Sequence, residues 1–282
     1  MKEIANNIFI EQSYAGVVLC VLRLSHGLLV VDGPLRADDQ QSWRHKLGYL
    51  GGGVGQLMVM LDTNTDRLLG MYYSEFPVLA HETSFEIIQA LPSNMRIPEF
   101  QARSNMETSD QGQGIRWRLP DMTFSKQVSI HWDDQPIIVT HQPGGHRAAI
   151  WVHYEAEKLM VVGDSVVINQ PPFFDGCHLD IWMDELKWLS SERFKDYLII
   201  SGRNGLIEQE SIITMHEFLI DVKNGIEDLC KLDEPEAGIK ALTTNMLTKL
   251  HFESEMTELY ESRLVWGLRQ LLLQHQARNT EE

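Results

Sequence analysis

The chain has 282 residues, 43% of them hydrophobic and 23% charged, with a formal net charge of −16 at pH 7. Those proportions belong to a globular chain and exclude a disordered one. The charge repels a phosphate backbone, and no dense Lys/Arg run offers a basic groove against it, so no nucleic-acid partner is expected.

The opening MKEIANNIFIEQS lacks the apolar core of a secretory signal. No stretch approaches the roughly 18–20 apolar residues of a membrane span. Cys20, Cys177 and Cys230 are widely spaced, without a CxxC pair or a disulfide framework. The expected location is the cytoplasm, with no membrane partner.

The first half reads as short strands: Ile8 to Ile10, Val17 to Leu22 and Leu28 to Val31, the last two separated by a polar break at Ser25 and Gly27 that suggests a hairpin. Asp38 to Leu47 has a helical pattern. Gly51-Gly52-Gly53-Val54-Gly55 has the spacing of neither a dinucleotide fingerprint nor a P-loop and reads as a connector. Leu57 to Leu61 is a continuous apolar run, as expected for a strand buried on both faces. Residues 95–118 are polar and irregular and read as an inserted loop or lid. Strands resume at Val128 to Ile130, Ile137 to Thr140, Ala148 to Val152, Leu159 to Val162 and Tyr197 to Ile200.

In the last third, Ile212, Met215, Leu219, Val222, Ile226 and Leu229 recur at spacings of three and four, which places them on one helix face. Asp233-Glu234-Pro235 breaks the pattern. It resumes with Leu242, Met246 and Leu250, then Tyr260, Leu264, Leu268 and Leu271. Residues 1–230 are therefore expected as one domain and 231–282 as a helical extension. That extension either packs on its own chain or forms a homodimer contact.

Four polar loops each follow an apolar run. They are Asp62-Thr63-Asn64-Thr65-Asp66-Arg67, His141-Gln142-Pro143-Gly144-Gly145-His146, Gly163-Asp164-Ser165 and Ser201-Gly202-Arg203-Asn204-Gly205. Polar residues at the ends of buried strands are where α/β folds place chemistry, because the strands hold them rigidly while the loops stay accessible. One such loop is ordinary turn chemistry; four in this order are far more specific.

In that order the loops resemble the metallo-β-lactamase superfamily, over about residues 5–220. Val30-Val31-Asp32-Gly33 also matches its strand-Asp-Gly turn, and Pro120-Asp121-Met122-Thr123-Phe124 a segment before its Gly-His strand. The resemblance implies an α/β fold, an αββα sandwich here carrying extra C-terminal helices, with a two-metal centre at one edge. This chain departs from the superfamily's HxHxDH pattern: Asp62 and Asn64 stand at the first two histidine positions and Arg67 at the third. The pattern's aspartate is kept as Asp66, the Gly-His as Gly145-His146 and the bridging aspartate as Asp164. Arg203 replaces the final histidine.

By this resemblance one metal site would be lined by Asp62, Asn64, His146 and Asp164. Three oxygen donors and an imidazole suit Mn²⁺, Mg²⁺ or Fe²⁺ as much as Zn²⁺. The second site would contain Asp66, Arg67, Asp164 and Arg203. A guanidinium has no lone pair to offer, so no second ion is expected. The sharper expectation is that Arg67 and Arg203 stand in for the missing cation and pair with Asp66 and Asp164; the plainer one leaves both arginines on surface loops.

Other residues carry less. His81 is the replacement ligand to consider, while His141, His153 and His178 read first as structural histidines. Trp117, Trp132, Trp151 and Trp182 read as packing residues, and Ser165 sits in no triad spacing. Two functions follow. One is a non-hydrolytic protein keeping the sandwich for a small-molecule ligand, assembly or regulation, with no cofactor. The other is a hydrolase of an ester, thioester or lactone working with one divalent ion, with Asp66 as general base and Arg67 or Arg203 at the oxyanion. Nuclease activity is the weakest reading.

Overall fold

A computed structural model describes residues 1–51, 55–91 and 117–281. The centre of the glycine-rich connector and nearly all of the expected lid lie outside the described residues. The described chain gathers into two units that alternate along the sequence. The first comprises Met1–Gln142, Ala148–Gly163 and Asp196–Ile207; the second comprises Pro143–Arg147, Asp164–Lys195 and Glu208–Glu282.

The first unit contains both sheets. One runs in chain order through β1 (Lys2–Ala5), β2 (Ile8–Glu11), β3 (Leu19–Leu24), β4 (Gly27–Val31), β5 (Gly55–Val59), β6 (Val78–His81) and β7 (Met122–Phe124). Its first four strands pair antiparallel, and the expected hairpin is there, with Leu24 opposite Gly27. From β4 to β7 the pairing is parallel. Parallel neighbours need crossovers, and the helices α1 (Ala37–Tyr49), α2 (Thr65–Tyr72) and α3 (Glu82–Ala90) lie in those connections.

The second sheet has the order β13-β12-β11-β10-β9-β8, with β8 (Gln127–Ile130), β9 (Ile137–His141), β10 (Ile150–Tyr154), β11 (Leu159–Gly163), β12 (Leu198–Ser201) and β13 (Gly205–Ile207). Only the β11–β12 pair is parallel.

The two-residue period of a strand explains the unbroken apolar runs. Leu29 and Val31 of β4 turn inward to a core they share with Val59, Val139, Val152 and Val161 from both sheets. Leu28 and Val30, on the opposite face, pack with Trp43 and Leu47 of α1 and Leu69 of α2.

The segment from Thr65 onwards, expected as loop, is helical instead. At eight residues α2 is too short to hold by propensity and depends on packing. Leu68, Leu69 and Met71 are buried. Its approach requires glycines: a Cβ on Gly70 would lie 2.6 Å from the Gly33 carbonyl oxygen, and one on Gly33 would lie 2.9 Å from that of Gly70. Bare backbone against bare backbone brings α2 onto the turn that follows β4.

The second unit is helical in its longer segments: α4 (Leu179–Leu189), α5 (Gln209–Leu229), α6 (Pro235–Leu247) and α7 (Thr257–Glu281). The six-residue face expected for α5 is buried throughout. Pro235 opens α6 at a position where its missing N–H costs nothing. There the expected face is shifted: Ile239, Thr243 and Met246 are buried, Leu242 is half-buried, and Leu250 falls beyond the helix. Tyr260, Leu264, Leu268 and Leu271 of α7 are all buried. Among the described residues no helix is long and apolar enough to cross a membrane.

Candidate functional site

In the first unit the polar loops place two arginines among three carboxylates. Asp32 follows β4 with a left-handed backbone (φ 58°), a conformation aspartate tolerates better than most residues. Its Oδ1 accepts the Leu61 N–H at 3.1 Å, and its Oδ2 is paired with the Arg67 Nη1. Asp62 accepts the Asn64 N–H on Oδ1 at 2.8 Å, which shapes the entry to α2. Its Oδ2 forms an ion pair with the Arg67 Nε at 3.1 Å. Arg67, on the first turn of α2, thus spans the ends of two strands, and its side chain has 0% exposure.

The second arginine comes from the turn between β12 and β13. Gly202 donates to the Gly163 carbonyl and accepts from the Val18 N–H, which ties this turn to its neighbours. Arg203 then holds Asp66 in a fork, Nη1 to Oδ2 at 2.7 Å and Nη2 to Oδ1 at 3.0 Å, while Nη1 also donates to the Gly16 carbonyl. Bidentate geometry of this kind is the strongest pairing available to a carboxylate and an arginine. The expected pairing of an arginine with a retained carboxylate is present for Arg203 and Asp66. Arg67 reaches Asp62, expected as a metal ligand, and Asp32, expected in the strand-Asp-Gly turn but not among the site residues.

His146 and Asp164 belong to the second unit, and both are buried. The Gly144-Gly145-His146 segment is held by α4. The Gly144 N–H donates to both Glu185 oxygens at 3.1 and 3.2 Å, and the Gly144 carbonyl accepts the His178 N–H. A Cβ on Gly144 would collide with Glu185 and with the Trp182 backbone, so only glycine fits. The Trp182 indole donates to the Ser165 carbonyl at 2.9 Å. Trp182 therefore packs, as expected, and also ties down the turn after Asp164; His178 serves through its backbone. Neither Glu185 nor Asp32 stood out as a site residue in the sequence.

Burial pushes the Glu185 carboxyl up from 4.5 to about 7, opposed by the Gly144 N–H. A carboxyl whose folded value is raised contributes its full stability below the unfolded value and loses it as pH rises towards the folded one. The second unit should therefore weaken between about pH 4.5 and 7 by on the order of 3 kcal/mol. Glu185→Gln should flatten that slope in urea titrations across this window. An unchanged slope would show that Glu185 is not its source.

His81 is not a spare ligand. Its Nδ1 accepts the Thr83 N–H at 3.1 Å, capping α3 and leaving the proton on Nε2, which donates to the Ser125 carbonyl at 2.7 Å. Its ring stacks on His141 at 3.5 Å. His153 contacts Tyr197 and Glu155.

As a donor set for the implied metal centre, these residues do not fit. Both oxygens of Asp66 face Arg203, and those of Asp62 face Arg67 and a backbone N–H. Among the described residues, no group of three or more His, Cys, Asp or Glu is placed to hold a metal ion.

The architecture itself is that of the metallo-β-lactamases. A metallo-β-lactamase from Pontibacter korlensis superposes with a TM-score of 0.57 at 16% identity, covering 78% of this chain and 97% of its own. A metallo-β-lactamase family protein from Thermus thermophilus gives a TM-score of 0.63 at 14% identity, covering 98% of this chain and 96% of its own. A double mutant of a sec-alkyl sulfatase gives 0.67 at 10% identity, covering 96% of this chain but 50% of that one. No family model and no curated protein sequence matches the chain. The chain has the metallo-β-lactamase fold, and the Thermus match extends that likeness over nearly its whole length.

Proposed function

We propose that this chain is a metallo-β-lactamase-fold protein in which arginine–carboxylate pairs take the place of a metal centre, and that it binds a ligand or a partner rather than hydrolysing a substrate. The observation that carries this reading is the fork of Arg203 on Asp66. Asp66 would be the base of a hydrolytic mechanism, but a base needs a lone pair directed at water. Here both oxygens are directed at a guanidinium, which stays charged and cannot ligate a metal. The Arg67 bridge between Asp32 and Asp62 supports the same reading, because it supplies buried carboxylates with the positive charge an ion would otherwise bring.

Elemental mass spectrometry on protein purified without an affinity tag tests this. The expected result is far less than one equivalent of any transition metal, even after incubation with zinc and manganese, and no change in His146→Ala or Asp164→Ala. About one equivalent, lost in both variants, would replace this reading with the single-ion hydrolase and call for esterase and lactonase assays. Two equivalents would overturn the assignment of both arginines.

A further inference from the structure

The second unit contains a pocket of about 580 Å³, within the range of roughly 300–1,000 Å³ usual for small-molecule sites. It lies between the loop that follows Asp164 and the first half of α5, with Lys249 and Leu250 closing one side. Its floor is apolar: Val167, Pro172, Met215 and Phe218 line it and are buried. Its rim is acidic. Among the described lining residues, Glu208, Glu210, Glu217 and Asp221 face one cation, Lys249, which is itself paired with Asp221.

Helix geometry explains the division. Glu210, Thr214, Glu217 and Asp221 follow one another at spacings of three and four and so form one stripe of α5 beside the buried stripe. Carboxylates on an exposed helix face ordinarily need no ligand. Here they border an apolar cavity large enough for an organic molecule, and a cleft of one sign with low-dielectric walls concentrates its field. An anion would be repelled, and a neutral apolar molecule would leave the rim unused.

We infer that this pocket binds an organic cation, with an ammonium head between Glu217 and Asp221, one helical turn apart, an apolar body on Met215 and Phe218, and Glu210 adding to the field from about two turns away. Lys249 competes with the ligand for Asp221, so the lysine limits affinity. The inference stands apart from the arginine–carboxylate reading, since it uses none of the same residues.

Isothermal titration calorimetry at low salt with hexylammonium chloride, sodium hexanoate and hexanol tests it. Hexylammonium should bind saturably in the millimolar range, while hexanoate and hexanol should give no saturable heat. Glu210→Gln and Glu217→Gln should each weaken hexylammonium roughly threefold, and Lys249→Met should tighten it by a similar factor. A purely structural Lys249 would give no tightening. Thr214→Trp, at an exposed lining position, should block binding, with its folding checked by circular dichroism. If that variant fails to fold, the Glu210→Gln/Glu217→Gln double variant decides instead, with an expected loss of roughly tenfold. Equal binding of hexanoate or hexanol, no saturable hexylammonium binding, or unchanged affinity in the carboxylate variants would each overturn the inference.

Discussion

Replacing Arg67 by methionine is expected to destabilise the protein by about 3–5 kcal/mol, the cost of leaving buried charge without its partner. Arg67 has a fully buried side chain and serves Asp32 and Asp62 together, both almost without exposure. The loss would be a large share of the ~5–15 kcal/mol by which a native domain is stable. Urea unfolding at pH 7 measures it. The charge origin is tested by adding Asp32→Asn and Asp62→Asn to the methionine variant, which removes the stranded charges at nearly constant shape. Most of the lost stability should return. A loss that persists unchanged in the triple variant would assign the effect to packing of the long side chain. A loss below about 1 kcal/mol would show that other groups satisfy both carboxylates.

The Arg203–Asp66 fork gives the second large effect. Arg203→Met should cost about 3 kcal/mol or more, since Asp66 has no exposed surface through which water could compensate. Arg203→Lys should recover less than half of that. An ammonium keeps the charge but cannot reach both carboxylate oxygens and the Gly16 carbonyl from one planar group. A double-mutant cycle with Asp66→Asn isolates the pair from the backbone contact. A coupling energy near zero would mean that Arg203 matters only for anchoring its turn to Gly16.

These effects bear on function because a fold shared with enzymes does not carry their chemistry with it. The neighbours share the scaffold at 10–16% identity. What would carry the chemistry is the set of side chains at the strand ends, and here carboxylates at two of those ends are committed to guanidinium groups. Buried pairs of this kind are what the binding role proposed above rests on, and the two variants measure how strongly they hold.

Much of the frame was readable from residues alone. The runs at Val17 to Leu22, Leu28 to Val31 and Leu159 to Val162 mark β3, β4 and β11, and strands buried on both faces leave such a continuous apolar signature. The buried face of α5 was equally plain, because amphipathic spacing sustained over 21 residues averages out local exceptions. Short elements were read unevenly: β2, β8 and β12, of four residues each, were expected as strands, and others were missed. β1, β6, β7 and β13 span three or four residues each, and α2 only eight. Over such lengths periodicity cannot separate strand, helix and loop, and tertiary packing decides.

The site divided in the same way. The order of the polar loops carried the family resemblance, and that resemblance singled out Asp62, Asn64, Asp66, Arg67, His146, Asp164 and Arg203, with the expectation that the two arginines pair with Asp66 and Asp164. Which carboxylate each one takes was not written locally. Arg203 meets Asp66 across 137 residues, Arg67 meets Asp32 across 35, and Glu185 meets Gly144 across 41. A guanidinium on a long flexible stem can serve any carboxylate within reach, and Coulomb attraction prefers none of them by identity. The choice fell to backbone placement: the Gly33–Gly70 approach that lays α2 over the turn after β4, and the turn between β12 and β13 held against Gly163 and Val18. Sequence determined which charges were present at the strand ends; only the packed backbone decided which of them meet.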